Sequence, residues 1–218
     1  MGTHGDQMSQ PVKESRVFVV DDDRSVRESI AYMLKVHELD HALFDSPAAL
    51  LESVTPEDRG CLLLDVRMPD MNGLELFSAL KEAGISMPAI FISGHGDIQI
   101  AVRAVQAGAL DFLEKPFDDE QLLEKIGNAL ELDAADYQEK LQHSAIEQRL
   151  NSLTPREREV MEGILEGKLN KIVADDLDIS VRTVEIHRAN VFRKLEARNS
   201  SELVRMVLST KCYRDWLL

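Results

Sequence analysis

The sequence has few cysteines and no long apolar run, and each shortage excludes a class of protein. Its two cysteines among 218 residues lie far apart, at positions 61 and 212, which favours reduced thiols over a disulfide framework. No apolar run approaches the roughly 20 residues that a membrane-spanning helix needs. Residues 1–13 lack the apolar segment typical of a signal peptide and predict a flexible leader. We therefore expect a cytoplasmic protein without a membrane partner.

Acidic residues are distributed unevenly along the chain. The formal net charge of -14 at pH 7 by itself argues against a nucleic-acid-binding protein. However, residues 1–150 contain 13 Lys and Arg against 28 Asp and Glu, whereas residues 151–218 contain 12 against 11. The acidity belongs to the first part of the chain, and such asymmetry indicates different partners for the two parts.

Within residues 14–130, short apolar runs alternate with stretches of helical periodicity. The predicted strands are Arg16–Val20, His41–Phe44, Cys61–Asp65, Ala89–Ile92 and Leu110–Glu114. The predicted helices are Ser25–Val36, Ser46–Val54, Gly73–Ala83, Ile98–Ala107 and a fifth from about Asp119. This alternation implies right-handed crossovers and a five-stranded parallel sheet covered by helices on both faces, which is a doubly wound α/β domain.

After residue 118 the strands stop and only helical patterns follow. Residues 118–151 contain no proline and one glycine, so we predict that the fifth helix continues through a linker at residues 131–151. Its apolar stripe is interrupted at Asp133, which leaves a dimeric coiled coil and a solvated spacer helix as alternatives. For residues 152–218 we predict an all-α domain of four short helices, at about 155–166, 170–177, 181–195 and 200–210. Thr154 and Glu157 form a capping box at the start of the first of these helices.

Polar residues follow the ends of four predicted strands. The first strand ends in Asp21-Asp22-Asp23, the third in Asp65 and the fourth in Ser93, and the fifth leads to Lys115. In an open parallel sheet, ligands bind at the carboxyl ends of the strands. Carboxylates that meet there repel each other, and Mg²⁺, which prefers oxygen ligands, relieves that repulsion. One carboxylate could then act as a nucleophile toward a phosphoryl group.

Four stretches of this part resemble the receiver domain of bacterial two-component response regulators, which has a flavodoxin-like fold: VFVVDDDRSVRES, CLLLDVRMPDMNGLEL, AIFISGHGD and AVRAVQAGALDFLEKPF. The resemblance implies that Asp65 accepts a phosphoryl group from a partner histidine kinase. It assigns Asp21, Asp22, Asp65 and the backbone carbonyl of Arg67 to Mg²⁺, Ser93 and Lys115 to phosphoryl binding, Phe112 to the switch, and a cis peptide bond to Lys115–Pro116.

A helix-turn-helix pattern follows over residues 170–195, with Ser180 as the predicted N-cap of its second helix. On a helical wheel, one face of that helix carries Val184, His187, Val191 and Leu195, and the opposite face carries Arg182, Ile186, Ala189 and Arg193. The stretches LTPREREVMEGILEG, NKIVADDLDIS and RTVEIHRANVFRKL resemble the four-helix LuxR-type DNA-binding domain. With a receiver in front, the chain resembles response regulators of the NarL/FixJ type.

The LuxR-type resemblance implies double-stranded DNA as a partner, through a roughly palindromic site bound by a homodimer that forms on phosphorylation, with RNA polymerase as a further candidate partner. Residues expected to face bases are Arg182, Glu185, Ile186, Ala189 and Asn190, and those expected to contact phosphates are Lys171, Arg188, Arg193 and Lys194. Members of the family often carry lysine at one or both of the positions of Glu185 and Ala189, so the resemblance does not supply a base preference.

These resemblances imply a phosphorylation-controlled transcription regulator, with activation as the family's usual outcome and with autophosphorylation and autodephosphorylation as its only chemistry. An aspartate-dependent, Mg²⁺-dependent phosphatase is one alternative, but it would need a second acid where Arg67 stands. A phosphorylation-independent DNA-binding or adaptor protein, with the receiver as a dimerisation module, is the other. It predicts equal DNA affinity with and without a phosphodonor.

Overall fold

In a computed structural model, the chain forms two compact units, Met1–Asp136 and Tyr137–Leu218. The structure describes residues 14–94, 98–210 and 213, so the leader predicted at residues 1–13 lies outside the described residues. Among the described residues, no helix is both long enough and apolar enough to cross a bilayer.

The first unit contains the predicted parallel α/β sheet. Its strands are β1 (Arg16–Val20), β2 (His41–Phe44), β3 (Gly60–Asp65), β4 (Ala89–Ser93) and β5 (Asp111–Glu114), all parallel in the order β2-β1-β3-β4-β5. Its helices are α1 (Arg24–Val36), α2 (Pro47–Ser53), α3 (Gly73–Glu82), α4 (Ile98–Gln106) and the first part of α5 (Asp119–Asn151). The predicted fold class is confirmed, and every strand bound lies within one residue of its prediction.

Both faces of this sheet are buried, as its apolar strands predicted. On one face, Phe18, Leu62, Leu64 and Phe91 pack with residues of α2 and α3. On the other face, Val19, Leu63 and Ile92 pack with residues of α1 and α5. Strand β3 lies in the middle of the sheet and all six of its residues are buried, so its last residue, Asp65, has a rigidly fixed backbone.

Helix α5 is the long helix predicted from the sequence. Its buried stripe in the first unit runs through Leu122, Ile126 and Ala129 and reaches Asp133 one turn later. The Asp133 carboxylate accepts a hydrogen bond from Nη2 of Arg59 at 3.0 Å, and both side chains are largely buried. The acid that interrupts the apolar stripe therefore has a cation as its partner inside the same unit.

The second unit contains the four predicted short helices within its described residues. They are α6 (Pro155–Leu165), α7 (Asn170–Leu177), α8 (Val181–Leu195) and α9 (Ser200–Leu208). The predicted capping box opens α6, since Thr154 Oγ1 accepts from the Glu157 N–H and the Glu157 carboxylate accepts from the Thr154 N–H. Helices α6 and α7 pack closely at Gly163, where a Cβ would lie 2.7 Å from Val173 Cγ2.

Candidate functional site

The sheet brings Asp21, Asp65 and Lys115 together at its carboxyl edge. Asp21 follows β1 and Asp65 ends β3, which pairs directly with β1, while Lys115 follows β5. The ammonium of Lys115 donates to Asp21 Oδ2 at 2.7 Å and to Asp65 Oδ1 at 2.6 Å. One lysine therefore bridges the two carboxylates, whose residues are only 2% and 7% exposed.

The remaining carboxylate oxygens accept hydrogen bonds from the backbone. Asp21 Oδ1 accepts from the Asp23 N–H at 2.8 Å, and Asp65 Oδ2 accepts from the Arg67 N–H at 2.7 Å. All four oxygens of this carboxylate pair thus have a donor. These bonds fix the direction of the Asp65 carboxylate and the position of the loop that follows it.

Burial and charge act in opposite directions on the pKa values of Asp65 and Lys115. Burial raises the pKa of the Asp65 carboxyl above its usual range, against the hydrogen bond and charge of Lys115, which lower it. Burial acts to lower the pKa of the Lys115 ammonium, but its bonds to Asp21 and Asp65 outweigh burial and raise that pKa above 10.5. Lys115 is therefore fully charged at neutral pH and supplies the positive charge of the site.

The residues assigned to phosphoryl binding and switching lie on the two neighbouring strands. Ser93 ends β4, is almost fully buried, and its backbone carbonyl accepts from the Lys115 N–H at 2.7 Å. The peptide bond between Lys115 and Pro116 is cis. Phe112 lies on β5 opposite Phe91 of β4, and its half-buried ring packs against the apolar cluster under α3.

Gly73, the first residue of α3, connects the loop after Asp65 back to the end of β3. The Gly73 N–H donates to the Val66 carbonyl at 3.1 Å, and a Cβ on Gly73 would lie 2.3 Å from the Asp65 carbonyl oxygen. Asn72 caps α3 through a capping box with Glu75. The Asn-Gly dipeptide seven residues after Asp65 was the signal that could have identified this close approach.

The oxygen ligands at this edge fit Mg²⁺. No cluster of three or more His, Cys, Asp or Glu side chains within the described ranges is ready-made for a metal. Mg²⁺, however, keeps several waters and is usually held by only one or two carboxylates. Asp21 and Asp65 would supply these. The side chain of Asp22, the residue after Asp21, is exposed, and an open pocket of about 520 Å³ has Asp22, Arg67 and Asn72 among its lining residues.

The second candidate site is the outward face of α8. Val184, Val191 and Leu195 are fully buried, and His187 is half-buried, as the helical wheel predicted. Ser180 caps the helix by accepting from the Thr183 N–H at 3.1 Å. The exposed residues among those assigned to DNA are Lys171 on α7 and Arg182, Glu185, Ile186, Ala189 and Arg193 on α8, whereas Arg188, Asn190 and Lys194 are half-buried.

Lys194 differs from the other residues assigned to phosphates. Its ammonium donates to Glu157 Oε2 at 2.6 Å and to the Ser152 carbonyl at 2.9 Å, so its hydrogen bonds are made to other residues of the second unit. The guanidinium of Arg188 lies 5.9 Å from the Phe192 ring centroid. The remaining phosphate candidates, Lys171 and Arg193, have their side chains in solvent.

Two protein families match the two parts of the chain. Residues 17–127 match the family described as the response regulator receiver domain, and residues 151–207 match the bacterial regulatory proteins of the luxR family. The first match contains the Asp21, Asp65 and Lys115 site, and the second contains α8.

Several relatives match along most of the chain, across both of its parts. The transcriptional regulatory protein FixJ of Azorhizobium caulinodans is 45% identical over 192 residues, which cover 88% of this chain and 91% of FixJ. The response regulator protein TodT of Pseudomonas putida strain F1 is 42% identical over 194 residues, 89% of this chain and 86% of TodT. The solved structure of the response regulator StyR matches with a TM-score of 0.82 and 42% identity, covering 89% of this chain and 98% of StyR.

Proposed function

The chain belongs to the two-component response regulators that join a receiver domain to a LuxR-type DNA-binding domain and regulate transcription, and from this premise we propose that phosphorylation of Asp65 controls its binding to DNA. The observation that carries the proposal is the buried Asp65 carboxylate at the end of β3, bridged to Asp21 by Lys115. The family organisation implies a histidine kinase and DNA as partners.

In the proposed reaction, an oxygen of Asp65 attacks the phosphorus carried by a histidine of the kinase. The P–N bond breaks, the imidazole leaves with the electron pair, and an acyl phosphate forms on Asp65. Mg²⁺, held by Asp21, Asp22, Asp65 and the Arg67 carbonyl, would neutralise the negative charge of the carboxylates and phosphoryl oxygens. Lys115 adds a fixed positive charge and the backbone N–H of Arg67 orients the carboxylate.

The same residues can convert this local charge into a change of surface. Once Asp65 carries the phosphoryl group, the Lys115 ammonium and the Ser93 hydroxyl can both donate to its oxygens. A shift of Ser93 frees space beside Phe112, whose ring is half-buried on the neighbouring strand. Such an event biases a two-state surface of the receiver, which we propose is the surface that forms a homodimer.

The dimer would bind a roughly palindromic DNA site through two copies of α8. Exposed residues of that helix, among them Arg182, Glu185 and Ile186, are available to base edges in a major groove. A second half-site raises affinity because the second binding event becomes intramolecular. We propose activation as the outcome, with RNA polymerase as a further partner, in the cytoplasm where a bacterial regulator meets the chromosome.

Phosphoryl incorporation from a small phosphodonor tests the acceptor directly. We expect the full-length protein to gain one phosphoryl group only when Mg²⁺ is present, and to lose it on treatment with hydroxylamine, which cleaves acyl phosphates. Asp65→Asn should gain none. Asp70→Asn is the matched control because Asp70 is an exposed acid of the same loop, and it should incorporate as the wild type does. Equal incorporation in both variants would refute Asp65 as the acceptor.

A further inference from the structure

The carboxyl end of α8 is attached to the turn that precedes α6. The Lys194 ammonium, one residue before the end of α8, donates to Glu157 Oε2 and to the Ser152 carbonyl. Glu157 is 4% exposed, although glutamate is rarely buried without a partner. This partly buried ion pair joins two segments that lie 37 residues apart in the chain.

One carboxylate oxygen of Glu157 accepts hydrogen bonds from two separate segments. Its Oε2 accepts from the Thr154 N–H at 2.8 Å, which completes the capping box of α6, and from Lys194. Burial acts to raise the pKa of Glu157, but the bonds from Lys194 and Thr154 outweigh it and lower that pKa below 4.5. Glu157 is thus a carboxylate at neutral pH, and it links the beginning of α6 to the end of α8.

A second ion pair joins the same end of α8 to α5. Glu196, the residue after α8, has a left-handed backbone with φ of 56°, a conformation in which glycine is usual. Its carboxylate lies 2.7 Å from Nη2 of Arg149 in the last turn of α5. A non-glycine residue in this conformation is strained, and Glu196 in this position forms the ion pair with Arg149.

Apolar contacts join these segments as well. Ile146 and Leu150 of α5 and Leu153 of the turn belong to the same core cluster as Leu195 and Ala197 at the end of α8. The last two turns of α5, the turn at residues 152–154 and the end of α8 therefore form one packed junction. A displacement of the end of α5 would move α8 with it.

We propose that Glu157 and Lys194 are positioning residues for α8. Their ion pair fixes the orientation in which the exposed face of that helix meets DNA. The inference rests on the proposed function, since it needs α8 to be the DNA-binding helix. It assigns Lys194 to this junction instead of to a DNA phosphate. Arg193, the neighbouring residue on the exposed face, keeps the role of a phosphate contact.

Salt dependence separates the two roles of a basic residue. Each phosphate contact contributes close to one unit to the slope of log affinity against log salt concentration, because binding releases a condensed counterion. Lys194→Gln should weaken DNA binding by about fivefold or more, which is the lower end of the coupling typical between two sites, because α8 loses the ion pair that positions it. It should leave the slope unchanged, because Lys194 contacts no phosphate in this proposal. Arg193→Gln should weaken binding and reduce the slope by about one.

The experiment uses the full-length chain and a duplex selected from random sequences by the wild type in the presence of phosphodonor. Glu157→Gln keeps an acceptor for the Thr154 N–H, because glutamine also serves in a capping box, but it removes the charge that faces Lys194. We expect it to weaken binding as much as Lys194→Gln does, and the double variant to be no weaker than either single variant. Lys194→Arg should restore wild-type binding.

Circular dichroism at the assay temperature identifies the folded fraction of each variant, and affinities are compared for that fraction. A reduced salt slope in Lys194→Gln would overturn the proposal, because Lys194 would then contact phosphate. Wild-type affinity in folded Lys194→Gln would also overturn it, because the pair would serve stability alone. If the wild type selects no duplex, the proposed function itself fails, which is a result distinct from both.

Discussion

At the scale of single residues, the proposed acceptor site contains one lysine between two buried carboxylates. Lys115 donates to Asp21 and Asp65 at 2.7 and 2.6 Å, and its side chain is 25% exposed. Removing one member of a buried ion pair costs more than the pair contributes, because the partner is left buried and uncompensated. Lys115 therefore stabilises the receiver besides taking part in its proposed chemistry.

We predict that Lys115→Met lowers the free energy of unfolding of the first unit by about 2 kcal/mol at neutral pH. In the variant the pKa of Asp65 rises further, because its cation is gone. A carboxyl with a raised pKa in the folded state binds protons there more readily than in the unfolded state, so the variant gains stability as pH falls. Denaturant unfolding should show the deficit shrinking toward about pH 4, the unfolded-state range for aspartate.

Lys35→Met is the control for this measurement, since Lys35 is an exposed lysine on α1 and its loss should change stability by about 0.5 kcal/mol or less. If Lys115→Met is no less stable than that control at neutral pH, the bridge does not hold the carboxylate pair in solution.

The order of polar residues at the strand ends was enough to group Asp21, Asp65, Ser93 and Lys115 at one edge. The hydrogen-bond partners of Lys194 could not be predicted from the sequence in the same way. On the helix it is one more basic residue in a DNA-binding segment, and its partner Glu157 lies 37 residues away. Only the packing of α6 against α8 reveals that its ammonium faces inward.

At the scale of helices and strands, polar bonds fix where each element begins and which neighbour it meets. The sequence predicted the strands well because apolar runs bounded by polar residues have few alternatives in a parallel sheet. It predicted α6 from its capping box, which the structure contains. It did not predict the partner of Asp133, because Arg59 lies in a loop 74 residues earlier.

We predict that Glu157→Gln destabilises the second unit by about 2 kcal/mol at neutral pH, the range for a hydrogen bond to a charged group. Since the pKa of Glu157 is lowered from 4.5 in the folded state, its contribution is present above that value and is lost as pH falls through the lower folded pKa. Hydrogen-exchange protection of α6 and α8 amides should converge for the two proteins below pH 4.5.

Glu159→Gln is the matched control for this comparison, because Glu159 lies on the same helix in an exposed pair with Arg156, and such pairs contribute about 1 kcal/mol at most. A difference between Glu157→Gln and wild type that does not depend on pH would show that the charge of Glu157 does not matter to stability.

We predict that Arg59→Met destabilises the first unit by about 3 kcal/mol, because Asp133 is left buried without this cation. Combining it with Asp133→Leu should recover most of that loss, since the stripe of Leu122, Ile126 and Ala129 then continues as an apolar surface. Denaturant unfolding of the two single variants and the double variant measures the coupling.

Arg16→Met, which removes an exposed pair with Asp40, should cost about 1 kcal/mol or less and serves as the control. Additive losses in the Arg59 and Asp133 variants would contradict the account of α5, because they would mean that the two side chains do not interact.

At the scale of the whole molecule, the chain joins an acidic unit to a nearly neutral one. Residues 1–150 account for all of the formal charge of -14, since residues 151–218 carry a net charge of +1, and this uneven charge already indicated two partners. Leu150 belongs to the core of the second unit, and Ile146, which is spaced for the same helical face, packs against that core. Their apolar spacing was visible, but the surface they pack against was not.

A net negative chain gains little from general attraction to DNA, so in the proposed function affinity comes from the local contacts of α8 and from the proposed pairing of two chains. Phosphorylation adds further negative charge at Asp65. Tighter DNA binding on phosphorylation would therefore report a change of conformation or assembly, because the added charge alone would oppose binding.

The most direct test of this account is DNA binding by the full-length protein with and without Mg²⁺ and a small phosphodonor, beside Asp65→Asn, on a duplex selected from random sequences. The account predicts that phosphodonor with Mg²⁺ tightens binding of the wild type by about fivefold or more and leaves the variant unchanged. Equal binding by both proteins under every condition would contradict it, because Asp65 would then not be a switch and the receiver would act only as a dimerisation module.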